Sequence, residues 1–599
     1  MSPQELYLRT QLQPYIQQEF AGQLEPDHLV FQQTRKDFAG DITLVLFGPA
    51  KRLGISPLAF GEQIQAFLGK LRFEEHPLLV SSQIIQGFLN ISLSAHYWMK
   101  AHRDASRPCG IPSGKKILVE FASPNTNKPL HLGHIRNILL GMAVSRLAEE
   151  SGDEVVRVQV INDRGIHICK SMLAWQKFGG GETPGSSGIK GDHLVGKYYV
   201  RFDQEWRMQT EERIATGLDA KIAKEQAPIL LEAQQMLRDW EAGVPAVREL
   251  WQSMNAWVYA GFEQTHQGLG SFFDRNYYES ETYLLGKDQV MEGLSRGIFE
   301  QDLDGSVWVD LTSAGLDRKV LLRSDGTSVY ITQDIGTAIE RQKEWNADEM
   351  TYVVGNEQDY HFKVLFLVLQ RLGFEWANRC EHLSYGMVDL PSGRMKSREG
   401  TVVDADDLMD EMLAAAKGRS ELSDKLQELT EADKAVLFRQ VGMAALKYFI
   451  LKVDPQKRMI FHPEDSIDLQ GHTGPFIQYA HARARAVLRK AESAGIDPSM
   501  YAHPVLPAAV KQTEIDIMRQ LSAYQESVAS AYSLKNPALL CQFAFDLAGL
   551  YNRFYHDCPM LTPETPSDSR LFRLYLSQEA ARVLKRSLYV LGIEAPERM

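Results

Sequence analysis

The 599-residue sequence predicts an α/β domain built on a parallel sheet, preceded by a smaller mixed α/β module and followed by an all-helical region. Three observations predict it. Residues 116–160 read strand, helix, strand: the apolar run Lys116-Ile117-Leu118-Val119, then Ile135, Leu139, Met142, Ala143 and Leu147 at helical spacing with a stop at Gly152, then Val155–Val160. Two further apolar runs, Met350–Val354 and Leu383–Leu390, continue the alternation of strand and helix. From Leu408 onward the pattern is almost all helix.

The opening segment, MSPQELYLRTQLQPYIQQEF, patterns as a mixed helix without a signal-peptide core. The first module, residues 1–110, ends in a strand-like stretch, Gln83–Leu93, and Ser106–Gly114 is a linker marked by glycine and proline. The parallel-sheet unit spans 115–407, with a mostly helical insertion at about 179–300. Gly179–Gly188 is glycine-rich, but it follows a helical pattern and lacks the GK[ST] ending of a phosphate loop, so it reads as a connection. Val329–Thr332 reads as a strand leading to Asp334, which opens a helix. Residues 408–470 form a helical stem and 471–599 a terminal helical domain.

The densest chemistry lies in the turn after the strand at Lys116, Glu120-Phe-Ala-Ser-Pro-Asn125-Thr-Asn-Lys128-Pro-Leu-His131-Leu-Gly133-His134. It falls at the carboxyl edge of a parallel sheet, where such sheets bind ligands. His131 and His134 adjoin a helix N-terminus, whose N–H groups and dipole favour anions. Gly133 lets a flat base or sugar lie against the backbone. Two imidazoles and Lys128 suit charge developing on a leaving pyrophosphate. A metal pair is the alternative reading, opposed by the absence of any further Cys/His cluster at ligand spacing.

Bulk properties narrow the class. A 44% hydrophobic share permits sizeable cores. No apolar run is long enough to span a bilayer. Cys109, Cys169, Cys380, Cys541 and Cys558 are scattered with no CxxC, which opposes a zinc ribbon or disulfide framework and suits a reducing cytoplasm. A net charge of −12 opposes wholesale nonspecific nucleic-acid binding but leaves room for a local basic face.

The turn resembles the HIGH signature of class I aminoacyl-tRNA synthetases in the form carried by arginyl-tRNA synthetases. Further segments carry the same resemblance: Gln86–Asn90, Tyr330–Ile335, Val354–His361, Thr473–Arg483 and the terminal Glu597-Arg598-Met599. It implies a Rossmann-like catalytic domain with a helical insertion, an N-terminal tRNA-contacting module and an all-α anticodon-binding domain. It also implies ATP, with magnesium, and L-arginine as substrates, tRNA(Arg) as partner, a cytoplasmic enzyme, and no structural metal. A monomer is expected.

Site residues follow by position. Glu120 and Asp334, read as carboxylates at two strand ends, suit a planar guanidinium that pairs bidentately. The resemblance adds Asn125, Tyr330 and Gln358 to the arginine site, and Gly355, His361, Met387 and Val388 to that for ATP. Arg394-Met395-Lys396-Ser397-Arg398 stands where the class keeps KMSKS, but its second lysine position is Ser397. The resemblance implies that Lys128 carries that charge instead, with Lys396 and Arg398 in support. In the last helices, Phe476, Tyr479, Ala480 and Ala484 mark one face, with His481, Arg483, Arg485, Arg489 and Lys490 supplying charge. Tyr479 and Met599 match anticodon-pocket positions; Phe88 and Asn90 match positions that meet the tRNA elbow. The family usually activates arginine only with tRNA bound. The alternatives are an RNA-binding regulator that keeps the fold without the chemistry, opposed by the intact HLGH and the set of arginine-pocket residues, and a related class I synthetase or nucleotidyltransferase with another substrate, opposed by the acidic pocket and the C-terminal helical module.

Overall fold

The computed structural model describes residues 2–35, 37–105, 113–389, 403–420, 429–468 and 471–599. Arg394, Lys396, Ser397 and Arg398 lie outside them. The N-terminal module packs helices Pro3–Glu19, Phe47–Leu53 and Pro57–Leu68 on a four-stranded antiparallel sheet. The expected Gln83–Leu93 strand is a hairpin: strands Leu79–Ile85 and Phe88–Leu93 turn at Gln86 and Gly87, both at positive φ, 48° and 83°. Such a two-residue turn matches the twist of its strands.

The central sheet is parallel throughout. Its strands are β1 (Lys116–Glu120), β2 (Glu154–Ile161), β3 (Arg275–Tyr278), β4 (Glu349–Gly355) and β5 (Cys380–Tyr385), in spatial order β5-β4-β1-β2-β3. The order reverses between β1 and β4, and a crevice opens at their carboxyl ends. Helix α1 (Leu132–Glu150) joins β1 to β2. Leu118 faces one apolar cluster with Val156, Met350 and Tyr352, while Ile117 and Val119 face the other, with α1. A strand buried on both faces needs the unbroken apolar run seen in the sequence. Close packing of α1 depends on Gly141, where a Cβ would lie 2.2 Å from Phe121 Cγ.

The insertion contains α2 (Gly191–Ala215) and α3 (Pro245–Leu269), after which the chain rejoins the sheet at β3. A second excursion carries a small antiparallel sheet, Glu300–Gln301, Val307–Val309 and Lys319–Leu322. The expected strand Val329–Thr332 is instead the start of α4 (Tyr330–Trp345): Ile331, Ile335, Ala338 and Ile339 are buried at helical spacing, and this outweighs the local β-branched run. Helix α5 (Asp359–Arg371) follows β4. The expected strand Leu383–Leu390 breaks at Gly386, where a Cβ would meet the Lys457 backbone at 2.6 Å, and resumes only at Val388–Asp389, paired with Met459–Ile460. Helices α6 (Ala405–Ser420), α7 (Gly474–Ser493) and α8 (Ala538–Asp557) belong to the helical remainder.

Candidate active site

The turn after β1 is strained and heavily tied. Ala122 and Ser123 sit at φ 70° and 46°, left-handed conformations that cost non-glycine residues free energy and persist only where surroundings enforce them. Ala122 N donates to Asn137 Oδ1 at 2.5 Å; Ser123 Oγ donates to Glu120 Oε1 at 3.1 Å and accepts from Val160 N at 3.2 Å. Asn137 Nδ2 in turn donates to Val353 O at 2.7 Å, which locks α1 to β4. Buried Arg136 donates to the carbonyls of Met387, Pro455 and Lys457, at 3.3, 3.1 and 2.8 Å. Thus the two residues after HLGH-Ile brace the whole crevice.

His131 is the N-cap of α1, and the two histidines form a reciprocal capping box. Gly133 N donates to His131 Nδ1, and His131 N donates to His134 Nδ1, both at 3.1 Å. The ring centroids lie 3.9 Å apart. Burial, then the Lys128 charge, pushes His131 down to about 4. Burial, His131 and Lys128 hold His134 well below the usual histidine value. Both rings are therefore neutral near pH 7. Because each Nδ1 accepts, each proton sits on Nε2, leaving two uncharged donors. At Gly133 a Cβ would stand 3.0 Å from the His131 ring, so the glycine lets that ring fold over the helix start.

Acidic groups gather at the same edge. Glu120 ends β1, and Arg341 of α4, itself buried, donates to its Oε2. Glu120 is therefore neutralised from within. Asp334 sits on the second turn of α4, not at a strand end, and its Oδ2 is 2.6 Å from His361 Nε2. Tyr330 and Gln358 are exposed, at the starts of α4 and α5. Asn125 pairs with Asn162 across the β1 and β2 ends. Sequence reasoning missed Glu279, directly after β3. Burial raises its carboxyl most; Arg164 opposes this, and Asp163 and Asp334 add to it, giving about 7. The signal was present as Asn276-Tyr277-Tyr278, a β-forming run that ends in this acid. Asp163 itself is buried and held by Ser280 Oγ at 2.7 Å and Tyr259 OH at 2.8 Å.

At the carboxyl end of β4, Gly355 closes the strand, and a Cβ there would meet the Glu357 carboxylate at 2.4 Å. Met387 is half-exposed, whereas the Val388 side chain is buried. His361 is partnered with Asp334 and so links the two halves of the crevice.

Far from the crevice, Tyr479 lies half-exposed on α7. The Arg483 guanidinium stacks between Tyr479 and Tyr555, 4.7 and 5.2 Å from the ring centroids, and donates to Asn552 Oδ1 at 2.5 Å. His481 does not supply charge: it is buried, burial lowers its pKa, and its Nδ1 lies 3.0 Å from Pro596 O. Arg485 pairs with Glu597 at 2.6 Å, and Arg489 Nη1 donates to Glu597 O at 3.0 Å, clamping the tail that ends in Met599 on α7. Phe476 is half-buried, 5.2 Å from Phe545. In the N-terminal module, Phe88 meets the exposed Phe47 ring edge-on at 5.5 Å. Asn90 is buried, with Thr43 Oγ1 donating to its Oδ1 at 2.6 Å, so it shapes the hairpin from below.

Residues 104–462 match the family described as tRNA synthetases class I (R), catalytic domain, and residues 477–599 match the DALR anticodon binding domain. A Flavobacterium psychrophilum protein named arginine–tRNA ligase is 50% identical over 617 aligned residues, covering 100% of both chains. A Bacteroides fragilis protein of the same name is 50% identical over 578 residues, 95% of each. The solved arginyl-tRNA synthetase of Thermus thermophilus shares the fold, with a TM-score of 0.75 at 24% identity over 99% of this chain and 100% of that one.

Proposed function

The chain belongs to the arginyl-tRNA synthetases, and on that premise we propose how its residues divide the work of joining arginine to tRNA. The enzyme activates L-arginine with ATP to arginyl-adenylate and pyrophosphate, then transfers the arginyl group to the 3′ end of tRNA(Arg), releasing AMP. ATP enters as its magnesium complex, with magnesium accompanying the phosphates rather than held in a dedicated protein cage.

His131 and His134 present neutral Nε2–H donors to the phosphate oxygens, and Lys128 supplies the positive charge, aided by Lys396. These groups act where charge develops rather than by forming bonds to substrate. Gly133, Gly355, His361, Met387 and Val388 seat the nucleotide, Val388 through its backbone because its side chain is buried.

Asp334 and Glu279 read the arginine guanidinium, with Tyr330 and Gln358 beside them. Glu120, already paired with Arg341, orients the pocket with Asn125 and Ser123 rather than acting as a second free anion. The observation that carries this reading is Glu279, directly after β3, a half-buried carboxyl crowded by Asp163 and Asp334 and only partly offset by Arg164. A cation arriving there relieves the crowding.

Residues 1–110 meet the tRNA elbow through Phe88, on a surface shaped by Asn90; 115–407 perform the chemistry, with the insertion from about 179 ending before β3 at Arg275 rather than at about 300; 408–470 connect; and 471–599 take the anticodon near Tyr479 and Met599. The enzyme works as a cytoplasmic monomer.

The test is a charging assay with arginine, citrulline and lysine. Citrulline keeps the shape and loses the charge, so it should be rejected by at least about 1000-fold. Comparable charging of citrulline would remove the carboxylates from their role.

A further inference from the structure

A cluster of charges that the reaction above does not use joins the insertion to the catalytic turn. Lys190 is the N-cap of α2, and its Nζ lies 3.2 Å from Asp192 Oδ2, 2.5 Å from Asp406 Oδ2 and 2.5 Å from Thr265 Oγ1. Thr265, on α3, donates to Asp406 Oδ1 at 2.9 Å. His193 Nε2 lies 2.9 Å from Asp406 Oδ2 and 3.4 Å from Asp404 Oδ2. Asp192 is fully buried, and its Oδ1 sits against Gly261 of α3, where a Cβ would come within 2.2 Å, so the glycine leaves room for the carboxylate. Asp192, His193 and Asp406 hold donor atoms close enough to share a cation, and the Lys190 ammonium, bonded to both carboxylates, already serves as one.

The same acidic segment is the strap across the catalytic turn. Asp404 pairs antiparallel with His131, and Ala405 N donates to Leu130 O at 2.9 Å. Asp404 Oδ1 also accepts from Asp406 N at 2.8 Å, so the side chains gripped by Lys190 and His193 are rigidly connected to the backbone that backs His131. A largely buried ion cluster is a poor source of net stability, since apolar residues of similar volume often do as well. What it does supply is a fixed geometry.

We propose that Lys190 is a positioning residue for the catalytic histidine turn, acting through Asp406 and the Asp404–Ala405 strap on the seat of His131. Without the ammonium, Asp192 and Asp406 face each other with only the His193 imidazole beside Asp406, and the strap is pushed from its place. A shift of about 1 Å at a reacting group costs on the order of 100-fold in rate. The inference rests on the proposed role of His131.

The experiment is arginine-dependent ATP–pyrophosphate exchange on the full chain with tRNA present, as a double-mutant cycle. Lys190→Met should lower kcat roughly 10- to 100-fold with arginine KM changed less than about threefold, and Lys190→Arg should restore most of the rate. In a His131→Ala background, Lys190→Met should cost less than about twofold, because the group it positions is gone. Should Lys190→Met lose the fold by thermal melting, Asp406→Asn enters the same cycle with the same expectations. If His131→Ala leaves the rate intact, the reading of the catalytic turn fails. If His131→Ala is damaging but Lys190→Met is silent, or multiplies the His131→Ala loss in full, the positioning role is overturned.

Discussion

With Glu279 in the proposed arginine pocket, arginine binding is expected to depend on pH in a range where few side chains titrate. Its carboxyl, ordinarily near 4.5, is raised to about 7, first by burial and then by Asp163 and Asp334 against the opposing Arg164. The sign follows from which form binds. Arginine pairs with the ionised carboxylate, and a raised pKa means that form is lost as pH falls through about 7. About 90% of the free enzyme is competent at pH 8 and about 10% at pH 6, so kcat/KM for arginine should fall about ninefold between them. His131 and His134 do not blur this signal, since burial holds both well below the usual histidine value, His131 at about 4. Glu279→Gln should abolish the slope and reduce kcat/KM at pH 8 by roughly 10- to 100-fold, the loss expected when a charged hydrogen bond is replaced by a neutral one. The assay is exchange at limiting arginine from pH 6 to 8 on both proteins. A flat wild-type profile, or an equal slope in Glu279→Gln, would refute the assignment.

Other predictions probe separate links. His134→Ala should slow adenylate formation by roughly 100- to 1000-fold with little effect on arginine KM, and Lys128→Ala should behave alike while Ser397→Ala stays mild; single-turnover rates in which Ser397→Ala matches Lys128→Ala would refute the reassigned lysine. Gly141→Ala should destabilise by about 1–3 kcal/mol or more, because the new methyl meets Phe121, and an unchanged denaturation midpoint would show that α1 can shift freely. Exchange should rise roughly 5- to 150-fold on adding tRNA, since Tyr524 OH donates to Glu150 Oε1 at 3.0 Å and Arg586 Nε to Glu150 Oε2 at 2.7 Å, gripping the far end of α1. Full exchange without tRNA would refute that coupling and leave the catalytic residues standing.

The sequence by itself determined the parts whose information is local. The β1–α1 turn, its capping histidines and its glycine lie in one contiguous run, and strand and helix periods flank it on both sides. The assignment of Tyr330, Asp334 and Gln358 rests on their resemblance to family positions, while Val329–Thr332 reads as strand because β-branched residues dominate four positions whose buried face emerges only over four turns of α4. Tertiary structure decided what depends on partners far along the chain. Glu120 looks like a free anion until Arg341, 221 residues away, donates to it. His481 looks basic until the tail carbonyl of Pro596 and the surrounding helices bury it. Glu279 becomes a pocket acid only when β3 returns to the sheet beside β2 and brings it near Asp163 and Asp334. A charge is fixed by its residue type, but its protonation and availability are set by burial and by neighbours, which only the folded chain assembles.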